Sequence, residues 1–106
     1  MKHTIDLLDQ STILQLNDGL YCKLRELRAE ECNTELDKAR NKMRQSETYL
    51  TLAKLSIHFD QATLKSYEHT PLETKLVRAK VASGKVQVEI AAADLEQWKV
   101  AFNYLV

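Results

Sequence analysis

The sequence predicts a helix-rich α+β fold, and three observations carry that prediction. Apolar residues recur at helical spacing from Ile13 to Ile57, interrupted by polar residues at Glu31–Thr34, so the run divides into two helices forming a hairpin. Around Ser83-Gly84 valines alternate with polar residues on both sides, which is the period of a β-hairpin. From Asp94 onward the spacing is helical again, giving a C-terminal helix. The 106 residues fit a single domain, 1–106, long enough to bury a core without metal or disulfide staples.

Asp9 or Ser11 can cap the first helix, which carries Ile13, Leu16, Leu20, Leu24 and Leu27 along one stripe. Gly19 inside it costs roughly 1 kcal/mol relative to alanine. Asn17-Asp18-Gly19 is also a turn signal, and a β-hairpin over Thr12–Leu24 is the competing reading. Leucine spacing that holds on both sides of Gly19 favours the helix. Glu31 then falls on the stripe and would bury a carboxylate. Apolar positions from Cys32 onward lie about a third of a turn further round at 3.6 residues per turn. Asn33 and Thr34 supply N-cap chemistry, with Asp37 three residues after Thr34. A break at Glu31–Thr34 follows, with one continuous helix presenting two partner surfaces as the alternative.

Thr34–Phe59 has neither Gly nor Pro, and winding it as a helix brings Leu36, Ala39, Met43, Leu50, Ala53 and Ile57 onto one face. Leu52, Leu55 and Phe59 lie opposite, so the second half of this helix is expected to be buried on two sides. Leu55 to Phe59 also alternate with period two, which leaves a strand open there. Asp60 to Thr70 has weak periodicity, and Thr70-Pro71 marks an extended or turning backbone.

With Ser83-Gly84 as a two-residue turn, Val81 pairs with Val86, Ala79 with Val88 and Val77 with Ile90. The other face pairs Arg78 with Glu89 and Lys80 with Gln87, so burial and charge agree in one register. Asp94 reads as an N-cap with Gln97 three residues on, and Leu95, Trp98, Ala101, Phe102 and Leu105 share the face that follows. The element order is α-α-β-β-α.

Lys+Arg and Asp+Glu both number 15, and this balance counts against a dedicated duplex-DNA binder, which needs a basic excess. No apolar run approaches the ~18–20 residues of a membrane span. The residues before Asp9 include an acid where a signal peptide needs an unbroken apolar core, and Cys22 and Cys32, ~15 Å apart if helical, read as reduced thiols of a cytoplasmic protein. His3, His58 and His69 have no metal spacing with those cysteines, and no glycine-rich phosphate loop or nucleophile motif occurs, so no cofactor, metal or catalytic residue is assigned.

Lys38, Arg40, Lys42 and Arg44 are the first candidate contact residues. They also flank Ala39 and Met43 as snorkelling stems beside a buried stripe would. Arg78 and Lys80 lie on the hairpin's polar face with Lys75 and Lys85 close by, and Tyr104 lies off the C-terminal stripe, where an aromatic can anchor an interface. Helices followed by a basic hairpin resemble the layout of a winged helix-turn-helix, in which the hairpin is the wing. The favoured function is a small non-catalytic protein, of regulator, adaptor or inhibitor type, that binds another protein. A winged-helix-like nucleic-acid binder is the alternative, and a small enzyme with its site at an oligomer interface ranks third. No membrane partner is expected, and closure of the apolar stripes between two copies of the chain is left open.

Overall fold

The computed structural model describes residues 9–66 and 69–106. Three helices account for nearly all of them: α1 (Gln10–Ala29), α2 (Glu35–Ser66) and α3 (Pro71–Leu105). His3 and the chain start, read above against a signal peptide, lie outside the described residues.

Each helix start follows from local chemistry. Asp9 caps α1, its carboxylate accepting from the Thr12 amide at 2.7 Å. At α2 the Thr34 hydroxyl accepts from the Asp37 amide at 3.0 Å, with Glu35 and Asp37 in the first turn where the helix dipole favours acids. Thr70 is extended and caps α3 by accepting from the Glu73 amide at 3.2 Å, and Pro71 follows with the backbone angle the first helical turn requires. The Asp9 carboxyl is held below its ordinary range by the backbone hydrogen bond from Thr12. Because the folded value is the depressed one, this stabilisation is present above the ordinary aspartate range and lost as pH falls through the folded value. The protection of the Thr12 and Ile13 amides, measured as exchange relative to the intrinsic rate at each pH, is therefore expected to fall in acid in the wild type. In Asp9→Asn that acid dependence should disappear.

The α+β expectation is corrected here. No strand occurs among the described residues, and Val77–Ile90, expected as a β-hairpin, is the middle of α3. Ser83-Gly84 makes no turn, Gly84 has no positive φ, and Asp94 caps nothing because it lies inside the same helix. The physical reason is that α3 carries two apolar stripes. Thr74, Val77, Val81, Gly84, Val88, Ala91, Leu95, Trp98 and Phe102, spaced alternately by three and four residues, are half-buried or buried, with Ala92 and Ala101 half-buried beside them. Ala79, Val86 and Ile90 belong to a second stripe on the outer side. Two stripes on roughly opposite sides of one helix, overlaid in sequence, produce the alternation that a strand would show. The strand alternative at Leu55–Phe59 falls as well, because α2 runs on to Ser66.

α2 is the middle helix and packs against both others. Hydrogen bonds from two side-chain amides fix its antiparallel register with α1. The Asn41 amide donates to the Leu27 carbonyl at 2.8 Å, and at the other end the Gln10 amide donates to Thr63 Oγ1 at 2.6 Å and to the Phe59 carbonyl at 3.4 Å. This register brings Leu55 level with Ile13, which are 3% and 0% exposed. Ile57 beneath Gly84 and Arg40 over the Phe102 ring (5.7 Å to the centroid) fix an antiparallel register with α3 in the same way. The hinge between them is tied by His69, whose Nε2 lies 2.7 Å from the Thr63 carbonyl and whose Nδ1 lies 3.3 Å from the Glu73 carboxylate. Buried apolar side chains (Ile13, Leu24, Leu27, Ala39, Leu55, Leu95) follow α2 along both seams. The radius of gyration is 16.6 Å, against about 13 Å for a compact chain of this length. The long axis of 53 Å is the length of α3 itself, about 1.5 Å per residue.

The α1 stripe differs by one position from its expected form. Leu16 is exposed, and Asn17 takes the inward place between Ile13 and Leu20. Asn17 Oδ1 is buried with no hydrogen-bond partner among the described residues. Removing an unsatisfied buried polar atom is favourable. Asn17→Leu is expected to stabilise the protein by about 1 kcal/mol and raise Tm by several degrees in a thermal melt. A lowered Tm would mean that Asn17 has a partner or fixes the register.

Candidate partner-binding surfaces

The candidate basic residues do not form one patch. Lys38 is exposed and pairs with Glu35 at 3.3 Å. Arg40 stands 3.5 Å from Asp37 and leans over Phe102. Both are thus engaged within the molecule, in pairs that contribute little when solvated. Arg44 is exposed on α2, while Lys42 faces a cleft. Arg78, Lys80 and Lys85 all lie on the first half of α3, and the expected pairing of Arg78 with Glu89 is replaced by a separation of three helical turns, about 16 Å along one helix. With the hairpin gone, so is the wing of the winged-helix reading.

Where the end of α1 meets α2 and α3, Arg28, Lys42, Gln45, Tyr49, Asp94 and Trp98 line an open polar cleft of about 470 Å³. Arg28 donates to the Tyr49 hydroxyl, and its guanidinium lies 5.6 Å from the centroid of that ring. The cleft carries two cations facing one carboxylate and an indole, a mixed lining without a dominant charge. Among the described residues no group of three or more His, Cys, Asp or Glu could hold a metal ion. His58 is half-buried on α2.

The larger feature is the outer face of α3. Leu72, Leu76, Val86, Ile90, Val100 and Tyr104 are all at least half exposed, from Ile90 at 50% to Tyr104 at 88%. Ala79, Ser83, Ala93 and Gln97, also exposed, occupy the intervening places. From Leu72 to Tyr104 the steps are four, three, four, three without a break, a heptad stripe over nearly the whole helix. At 3.5 residues per turn its centre lies roughly 150° from the seam that faces α2. Both seams have the same period, so they keep a constant angle to each other along the helix. At the N-terminal end the stripe borders a groove of about 580 Å³ whose wall is mainly apolar around Leu76, Val77 and Ala79 and also carries Glu73 and Lys80.

Of the candidate residues, Tyr104 belongs to this stripe and Lys80 flanks it. The stripe as a whole was missed, although its signal was present as heptad spacing through Val86 and Ile90. Among the described residues no helix is long and apolar enough to cross a membrane. Compared with protein-family models, curated proteins and solved structures, the chain matches none.

Proposed function

We propose that this chain is a non-catalytic helical binding protein of the cytoplasm whose contact surface is the outer face of α3. One observation carries the reading: an uninterrupted heptad stripe from Leu72 to Tyr104, apolar at most positions and facing away from α2. Scattered exposed apolar residues are ordinary, but a continuous row along about 48 Å of helix is the pattern by which helices recognise other helices. The free thiols Cys22 and Cys32 support a reducing compartment.

A photo-reactive side chain at position 86, on the stripe, tests the reading against one at Glu26, on the outer side of α1. Crosslinking in the source cell is expected to give a discrete protein adduct from position 86 and none from position 26. The adduct should vanish when Leu76 and Ile90 are both replaced by glutamate. Absence of any adduct from position 86 would overturn the proposal.

A further inference from the structure

We propose that the occupant of the α3 stripe is a second copy of this chain, docked antiparallel so that the two α3 helices form a coiled coil about a two-fold axis near Val88. The inference rests on the functional reading above and names its partner. It stands on pairing, charge and area.

In an antiparallel pair centred at residue 88, Leu72 comes level with Tyr104 of the other copy, Leu76 with Val100, and Val86 with Ile90. Ala79 and Ser83 come level with Gln97 and Ala93. Large residues thus meet large ones at both ends and the centre, while in between Ser83 meets Ala93 and Ala79 meets Gln97. Each contact occurs twice, as a two-fold interface requires. Val100, level with Leu76, would meet the edge of the groove of about 580 Å³ that Leu76 and Val77 help to line.

Charge sets the direction. The half of α3 before Val88 carries Lys75, Arg78, Lys80 and Lys85 against Glu73, and the half after it carries Glu89, Asp94 and Glu96 against Lys99. Net charges are therefore +3 and −2, and antiparallel docking lays each half on its opposite. Lys80 comes within two residues, about 3 Å of axial rise, of the level of Asp94 and Glu96 of the other copy. A parallel pair would instead set Lys75 against Lys80 and Glu89 against Asp94 at the positions flanking the seam, where like charges repel.

A stripe about 48 Å long and ~10 Å wide buries ~480 Å² per copy and ~1,000 Å² in total, near the lower limit of a specific interface. An interface of that size fits a weak, reversible dimer.

Sedimentation equilibrium of the full chain, from micromolar to submillimolar concentration, is the test. The expected result is a reversible dimer of twice 12.2 kDa. Leu76→Glu and Val100→Glu, each at an exposed position, should be monomeric with unchanged far-UV circular dichroism. Lys80→Glu should weaken the dimer about tenfold through its two symmetric contacts, and adding Asp94→Lys should restore it. In a Cys22→Ser, Cys32→Ser background, Leu76→Cys mixed with Val100→Cys should form a disulfide dimer that neither forms alone. A Leu76→Cys homodimer would overturn the antiparallel arrangement. A monomer at every concentration would overturn self-docking. In that case a heterologous adduct from position 86 would leave the broader reading intact, and no adduct at all would overturn both.

Discussion

Leu55→Ala is expected to remove about 3 kcal/mol of stability, the cost of deleting a buried leucine side chain together with the cavity it leaves. Leu55 is 3% exposed and level with Ile13, the most fully buried side chain of α1. The register that sets them side by side is pinned at both ends by the Asn41–Leu27 and Gln10–Phe59 hydrogen bonds, so α1 has little freedom to slide and refill the space. A domain of this size has about 5–15 kcal/mol in all, and a 3 kcal/mol loss lowers Tm by about 15 °C. Leu52 is on the same side of α2 but only half-buried, and Leu52→Ala should cost much less. Urea and thermal unfolding of the two variants, followed by circular dichroism, give the comparison. Equal, small losses would mean that α1 is not seated on α2 in this register.

The first two helices were legible in the sequence as far as about Ile57, where one signal dominates, whereas the run of α2 on to Ser66 was not, because periodicity is weak from Asp60 onward. Asp9 sits where a cap is needed, Glu31 interrupts a leucine stripe that could not bury it, and Thr34 with Asp37 restarts the helix. The two faces expected along Thr34–Phe59 correspond to two neighbours: Ala53 and Ile57 lie toward α3, and Leu55, level with Ile13, lies toward α1. The third helix was hidden by a competing period. Val77, Val81 and Val88 face α2, while Ala79, Val86 and Ile90 face outward, and their overlay alternates as a strand does. Valine and isoleucine have low helix propensity, which strengthened the strand reading, but tertiary packing outweighs a few tenths of a kcal/mol per residue. One decisive signal had been available. Thr70-Pro71-Leu72-Glu73 combines an N-cap threonine, a proline at the first helical position and a glutamate at the capping-box position, which together begin a helix. The outer stripe went unseen for the same reason as the helix, since heptad spacing becomes visible only once the segment is wound as one.

Gly84 should separate the two readings of α3 by experiment, and Gly84→Leu is the second large effect expected. A Cβ at Gly84 would lie 2.9 Å from Ile57 Cγ1 and 3.7 Å from Cδ1, so the glycine sits where α3 approaches α2 closely. For Gly84→Ala two effects nearly cancel. Helix propensity gains about 1 kcal/mol, and displacing the Ile57 side chain costs about the same. Leucine keeps the propensity gain but forces three more carbons into the seam, and overpacking of that kind costs about 1–3 kcal/mol or more. A net loss near 2 kcal/mol in Gly84→Leu can then be assigned to packing, since leucine is among the best helix formers. Gly19 is the internal control: nothing lies within 4 Å of its Cβ position, so Gly19→Ala should gain up to about 1 kcal/mol. If Ser83-Gly84 were a hairpin turn with positive φ at the glycine, Gly84→Ala would itself be strongly destabilising. The order expected from urea unfolding is Gly19→Ala above wild type, Gly84→Ala beside it and Gly84→Leu well below. An alanine variant at position 84 as unstable as the leucine one would remove the case for a helix crossing there.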